Sequence, residues 1–295
     1  MILAGPLTLR DREQMGTSNM ENGMNILDGS KQQLKNVFTQ FIGHAVERLE
    51  SDSRFIGLAI AGSWVRNEID EYSDLDLVIV YKSESAPEPQ EMQSIAEKLG
   101  ELVSSFTGEH VGESSLLICL YKNPLIHVDL KFSTLSELRQ LPYDPVIAWE
   151  CGSVISDFMA EGQATPLIPD AQWIEDRFWT WVHYGALRMG RGEVFDLIGF
   201  LCFLRERVLG PLALHNAGFS PFGVRKIEQC IPEFAVHLEK TVPNYDLKSC
   251  YSALLVTVDI YKELRGNIQG NVVPNTSAET ESLRYLDQIA SKILS

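Results

Sequence analysis

Residues Phe55–Tyr81 read FIGLAIAGSWVRNEIDEYSDLDLVIVY, and the chain can be organised around this stretch. Phe55–Ala61 and Leu75–Tyr81 are short, rich in Ile, Leu and Val, and bounded by glycine or polar residues, which predicts two buried strands. Ser63–Ile69 can make one or two helical turns, with Asp70–Ser73 as a polar connector. A strand that ends in Gly62-Ser63 and feeds a helix aims free backbone N–H groups and a hydroxyl at one point, where a phosphate can be held. Ten residues separate Ser63 from Asp74, and Asp74 and Asp76 stand two apart at the start of the second strand. Alternation sends both carboxylates to one face, and Leu75 and Leu77 to the other. Two crowded carboxylates repel unless a cation lies between them, and their oxygens suit a hard ion such as Mg2+.

A third acid is supplied by LIHVDLKF, Leu125–Phe132, where Asp129 interrupts an apolar run and needs a partner if buried. Beside the strand of Asp74 and Asp76 it would complete a set able to hold two Mg2+ ions about 3.5–4 Å apart, as used for in-line phosphoryl and nucleotidyl transfer. Each feature has an ordinary reading. Gly-Ser after a strand is common, Asp-x-Asp is usually a solvated turn or cap, and a lone strand acid can sit at an edge. Their conjunction, in order and at these spacings, favours the site.

Gly-Ser, ten residues, Asp-x-Asp and a later strand acid resemble the signature of the nucleotidyltransferase superfamily that includes DNA polymerase β. Within it the chain is most similar to bacterial aminoglycoside nucleotidyltransferases and related two-domain proteins; a weaker likeness covers Arg188–Pro211, RMGRGEVFDLIGFLCFLRERVLGP. The resemblance implies an α+β protein: an N-terminal nucleotidyltransferase domain, a mixed sheet with covering helices, followed by an all-helical bundle. It further implies Asp74, Asp76 and Asp129 as catalytic metal ligands, and Gly62, Ser63 and Arg66 at the nucleotide. Basic residues of the helical domain, Arg188, Arg191 or Lys226, would close over its phosphates. Lys131 shares the face of Asp129 with His127 and reads either as a phosphate contact or as a strand-end ion pair. Glu109 and Glu113 are alternatives to Asp129 as proton acceptor.

The implied activity is Mg2+-dependent transfer of a nucleoside monophosphate, AMP from ATP, to a hydroxyl of a small cationic acceptor such as an aminoglycoside, with pyrophosphate released. Two other readings remain open: the same chemistry on a protein or tRNA acceptor, as in toxin–antitoxin nucleotidyltransferases, and a non-catalytic nucleotide-binding protein. The expected partners are a nucleoside triphosphate and a small-molecule acceptor, with the chain a monomer or homodimer.

Composition agrees with this reading without deciding it. At 295 residues and 45% hydrophobic, the chain can form two ordinary cores. With 40 acidic against 25 basic residues, a charge of −15 repels an extended nucleic-acid backbone and favours cationic small molecules. The five cysteines show neither paired nor zinc-ligand spacing and read as reduced, mostly buried thiols. With neither a basic leader nor an apolar run of about 18 residues, a cytoplasmic location away from membranes is expected.

The expected divisions are a poorly ordered segment 1–30, a catalytic domain 31–145 and a helical domain 146–295. Apolar spacing predicts helices over Lys31–Ser51 and through Ile95, Leu99, Leu102, Val103 and Phe106. Leu116–Tyr121 and Leu125–Phe132 read as a hairpin about Lys122-Asn123-Pro124. Beyond Pro145, helices are expected at Val146–Met159, Ala171–Met189, Glu193–Asn216, Ile231–Thr241, Tyr245–Arg265 and Ala278–Leu294, with Glu193–Leu209 central. The aromatic cluster Trp173, Phe178, Trp179, Trp181 and Tyr184 reads as core.

Overall fold

The computed structural model describes residues 23–83, 87–141, 144–162, 168–267 and 272–294, with side chains from Ser30 onward. The chain divides into two compact units, Met1–Pro166 and Leu167–Ser295. In the first, α1 (Gly23–Glu50) leads into β1 (Phe55–Ile60), the short α2 (Gly62–Val65), β2 (Leu75–Tyr81), α3 (Pro89–Leu99), β3 (Leu102–Gly108), β4 (Glu113–Tyr121), β5 (Ile126–Ser133), β6 (Val146–Glu150) and α4 (Val154–Ala160). The helix expected from Lys31 thus reaches back to Gly23; the rest of the expected N-terminal segment, 1–22, lies outside the described residues.

The six strands form one mixed sheet in the order β3-β4-β5-β2-β1-β6. β1 and β2 are antiparallel, while β2 and β5 run parallel at its centre. Odd-numbered residues of β2, Leu75, Leu77 and Ile79, bury against Phe38, Ala45 and Leu49 of α1 and Met92, Ile95 and Leu99 of α3. Such side chains each contribute about 1.5–3 kcal/mol on burial. The other face is also covered: Val78 and Val80 pack with Leu138 and with Ile155 of α4.

Three expectations are corrected. The apolar spacing carried past Leu99 predicts helix, but the helix stops there and Leu102–Gly108 is an edge strand on β4, with Val103 and Phe106 exposed. Gly100 takes an extended conformation between the two elements, and the β-formers Val103, Phe106 and Thr107 then follow. Val146–Glu150 is strand rather than helix, paired antiparallel to β1, so the sheet unit runs past Pro145 and the division falls after Pro166. Its end is fixed by Glu150, whose carboxylate accepts the N–H groups of Ile155 at 2.8 Å and Ser156 at 3.0 Å. The helix this starts sits directly on β1: a Cβ at Gly57 would lie 2.2 Å from Ile155 Cδ1.

The second unit is helical among its described residues. It comprises α5 (Ala171–Arg191), α6 (Val194–Leu204), a π-helical turn at Arg205–Leu209, α7 (Gly210–Asn216), α8 (Ile227–Cys230), α9 (Pro232–Glu239), α10 (Leu247–Gly266) and α11 (Thr276–Ile293). The stretch expected to be central buries Leu197, Leu201, Leu204, Val208 and Leu209, while Phe195 and Phe203 face outward. The aromatic cluster divides in the same way. Phe178 and Trp179 are core, Phe178 stacking on Tyr261 at 3.7 Å, whereas Trp173 and Tyr184 are exposed.

Glu175 is buried in this unit and fully engaged. It accepts from Trp179 Nε1 at 3.0 Å, the Tyr261 hydroxyl at 2.5 Å, Arg265 at 3.0 Å and the Asn275 N–H at 2.8 Å. Of the five thiols, Cys119 and Cys250 are buried while Cys151 and Cys202 are exposed, so the expectation of mostly buried cysteines is not met. No helix among the described residues is long and apolar enough to cross a membrane.

Candidate active site

β1 ends where the Ala61 N–H donates to the Asp76 carbonyl at 2.9 Å, which anchors the following turn to the start of β2. Gly62 then adopts φ +64°, a left-handed conformation that favours glycine. It is required on a second count as well: a Cβ there would fall 1.7 Å from Asp76 Oδ2. The Asp76 carboxylate therefore lies against the Gly62 backbone, and Ser63, only 5% exposed, is next to it. The Gly-Ser pair and the second acid of Asp-x-Asp form one local structure.

The connector is built to deliver Asp74. Asp70 Oδ1 accepts from the Tyr72 N–H at 3.0 Å and the Ser73 hydroxyl at 2.9 Å, and Ser73 Oγ accepts the Asp70 N–H at 2.9 Å. Such side-chain-to-backbone bonds fix a turn. Ser30 of α1 donates to Glu71 at 2.7 Å and pins the connector from outside.

The third acid arrives through the parallel register, in which Asp76 stands opposite Asp129. In a parallel pair, opposed residues share a face. Asp76 and Asp129, with Asp74 two residues earlier, thus leave the sheet on the side opposite Leu75, Leu77 and Leu130. Burial pushes the Asp129 carboxyl above the ordinary carboxylate range; His127 pulls it down and the charge of Asp74 pushes it up again, with the net shift upward. His127 Nε2 lies 2.9 Å from Asp129 Oδ1. The sequence placed His127 on this face by alternation but left it without a role, although a histidine two residues before a strand acid was a readable sign of a partner.

Hard carboxylate oxygens on one face, one of them in a partly desolvated site, fit a divalent cation in donor type. No group of three or more His, Cys, Asp or Glu side chains among the described residues is gathered as a metal cluster. The backbone register is what brings Asp76 and Asp129 to one face.

The other sequence-derived residues are placed as follows. Arg66 pairs with Glu68 at 3.2 Å, and Lys131 pairs with Glu113, so the strand-end ion pair is the observed state of Lys131. Glu109 accepts from the Thr107 hydroxyl, which holds its carboxyl below the usual range. Arg188, Arg191 and Lys226 belong to the second unit. There Arg188 pairs with Asp196 and lies over the Phe200 ring at 4.6 Å, Arg191 pairs with Glu193 at 3.5 Å, and Lys226 precedes α8 with φ +58°.

Comparison with known proteins follows the same lines. Residues 44–144 match the family model described as a nucleotidyltransferase domain. No curated protein matches the chain by sequence. Among solved structures, it is similar to an aminoglycoside 6-adenyltransferase from Bacillus subtilis at 12% identity and TM-score 0.36, over 84% of this chain and 97% of that one. It is also similar to a nucleotidyltransferase-like protein from Exiguobacterium sibiricum at 12% identity and TM-score 0.37, over 90% of each chain. A spectinomycin adenyltransferase from Enterococcus faecialis, solved with ATP and spectinomycin, is similar at 12% identity and TM-score 0.28, over 86% and 98%. The family likeness rests on the match over residues 44–144 together with the α+β architecture. Over residues 44–144 this chain is thus similar to the nucleotidyltransferase domain family.

Proposed function

We propose that the sheet unit transfers a nucleoside monophosphate, AMP from ATP, to a hydroxyl of a small cationic acceptor such as an aminoglycoside, with Mg2+ as cofactor and pyrophosphate as leaving group. The observation that carries this reading is the register of Asp76 with Asp129, set directly against left-handed Gly62. Asp74, Asp76 and Asp129 would hold the ions. Bound Mg2+ would neutralise phosphate charge and make the acceptor hydroxyl more acidic.

The protein groups have separable tasks. Gly62 leaves room for phosphate oxygens beside Asp76, and the Ser63 hydroxyl donates to one of them. The acceptor oxygen forms a bond to the α-phosphorus as the bond to pyrophosphate breaks. The released proton would go to an Asp129 oxygen, which stands on the same sheet face as Asp74 and Asp76. Arg66 and Lys131 can reach a phosphate by exchanging exposed ion pairs with Glu68 and Glu113, each worth no more than about 1 kcal/mol, for stronger charge-assisted bonds. The cationic acceptor agrees with the formal charge of −15.

The test is label transfer from α-phosphate-labelled ATP with Mg2+ across a panel of aminoglycosides, spectinomycin and lincosamides. Label appearing on one drug, dependent on Mg2+, supports the reading. Label that instead appears on protein or tRNA would replace the acceptor while keeping the chemistry. Absence of metal-dependent turnover with any nucleoside triphosphate and any acceptor would overturn both.

A further inference from the structure

The helical unit contains a cavity of about 560 Å³ with walls that include Pro169, Trp173, Phe203, Arg207, Pro211 and Pro221. This volume lies within the range of small-molecule sites. Trp173 and Phe203 are large aromatics that are 44% and 37% exposed, and so offer ring surface to a ligand. Both are fixed from behind by Trp181, edge-on to Trp173 at 5.7 Å and to Phe203 at 5.3 Å. Arg177 lies over Trp173 at 4.1 Å and donates to its carbonyl at 3.0 Å, which holds that side of the wall.

The charged group of the cavity is less committed. Among the described residues Arg207 makes no hydrogen bond or ion pair, although the chain carries 40 acidic residues. Asp170, the acid at the cavity wall, is occupied as the cap of α5, accepting the Trp173 N–H at 2.9 Å. Arg207 sits in the π-helical turn Arg205–Leu209, an arrangement that is rare in helices and frequent at functional sites. Just after that turn, a Cβ at Gly210 would lie 2.2 Å from the Gly223 carbonyl oxygen, so only glycine lets the loop carrying Pro221 close the cavity.

We infer that this cavity binds a small molecule composed of a planar ring and an anionic group, the ring against Trp173 and Phe203 and a carboxylate or phosphate on Arg207. Arginine presents a planar fork matched to either anion, and aromatic and proline walls suit a flat apolar body. The site stands independently of the chemistry proposed for the acid face.

The experiment is titration of the full chain with 1-naphthoate, 1-naphthyl phosphate, neutral 1-naphthamide and ring-free acetate, read by calorimetry. At least one anionic naphthalene is expected to bind about tenfold more tightly than the amide, since a charge-assisted bond contributes roughly that factor; the tighter of the two identifies the anion. Arg207→Gln should erase this preference with the unfolding midpoint unchanged, because Arg207 is exposed and makes no hydrogen bond or ion pair among the described residues. Trp173→Leu should weaken every naphthalene probe about fivefold or more, and Trp173→Phe should restore most of the loss. Equal affinity for naphthoate and naphthamide, an undiminished preference in a folded Arg207→Gln variant, or no saturable binding of the ring probes up to about 10 mM would overturn the inference.

Discussion

Glu175 and Asp129 are both acids in poorly solvated surroundings, and they behave in opposite ways. Burial pushes both upward. At Glu175 this is outweighed by Tyr261, the Asn275 N–H, Trp179 and Arg265, which hold its carboxyl below the usual range. At Asp129 the only side-chain partner among the described residues is His127, and burial together with Asp74 keeps the carboxyl raised. A carboxylate whose donors all come from the chain is part of the scaffold. One that the chain leaves short of positive charge is placed for something that arrives from outside, and the family match gives that arrival a chemistry.

Substitution can break this contrast from either side. The largest effect is expected at Gly62→Ala, which forces a methyl onto the Asp76 carboxylate and strains the left-handed backbone. Transfer should fall by on the order of 10³-fold, measured as pyrophosphate release; near-normal turnover would mean that the contact with Asp76 is unimportant. Glu175→Gln should cost about 3 kcal/mol of stability in urea unfolding by leaving Arg265 and Tyr261 short of a charged acceptor. A loss under about 1 kcal/mol would contradict the scaffold assignment.

The pH dependence sharpens the same point. Because the folded-state pKa of Glu175 is depressed, its stabilisation is fully present above the unfolded value of about 4.3 and is lost as pH falls below it toward the folded pKa. Wild type should therefore lose stability more steeply than Glu175→Gln below about pH 4.3, and parallel curves would argue against it. The smallest effect belongs to Ser63→Ala, which should weaken nucleotide binding about tenfold by removing one bond to a charged oxygen. An unchanged affinity in a binding titration would take Ser63 out of the phosphate site.

The acid face was legible in sequence because its parts are local. Asp74 and Asp76 alternate with buried leucines, and the apolar runs of β1, β2, β4 and β5 announce strands whichever partners they take. What sequence could not supply was the parallel register that sets Asp76 opposite Asp129. Edge strands were harder. Leu102, Val103 and Phe106 continue a helical spacing that only Gly100 interrupts, and Val146–Glu150 is a strand solely through its pairing with β1, almost 90 residues earlier. The Glu175 network was invisible for the same reason, since Tyr261 and Arg265 are 86 and 90 residues away along the chain.

The most direct measurement is Mg2+-dependent pyrophosphate release from ATP, with the aminoglycoside panel present, in wild type and in Asp76→Asn. The account predicts release that requires both metal and one acceptor, and that disappears in a variant whose unfolding midpoint is unchanged, because Asp76 is a half-buried acid on the sheet face and not a core contact. Full turnover by a folded Asp76→Asn protein would contradict it.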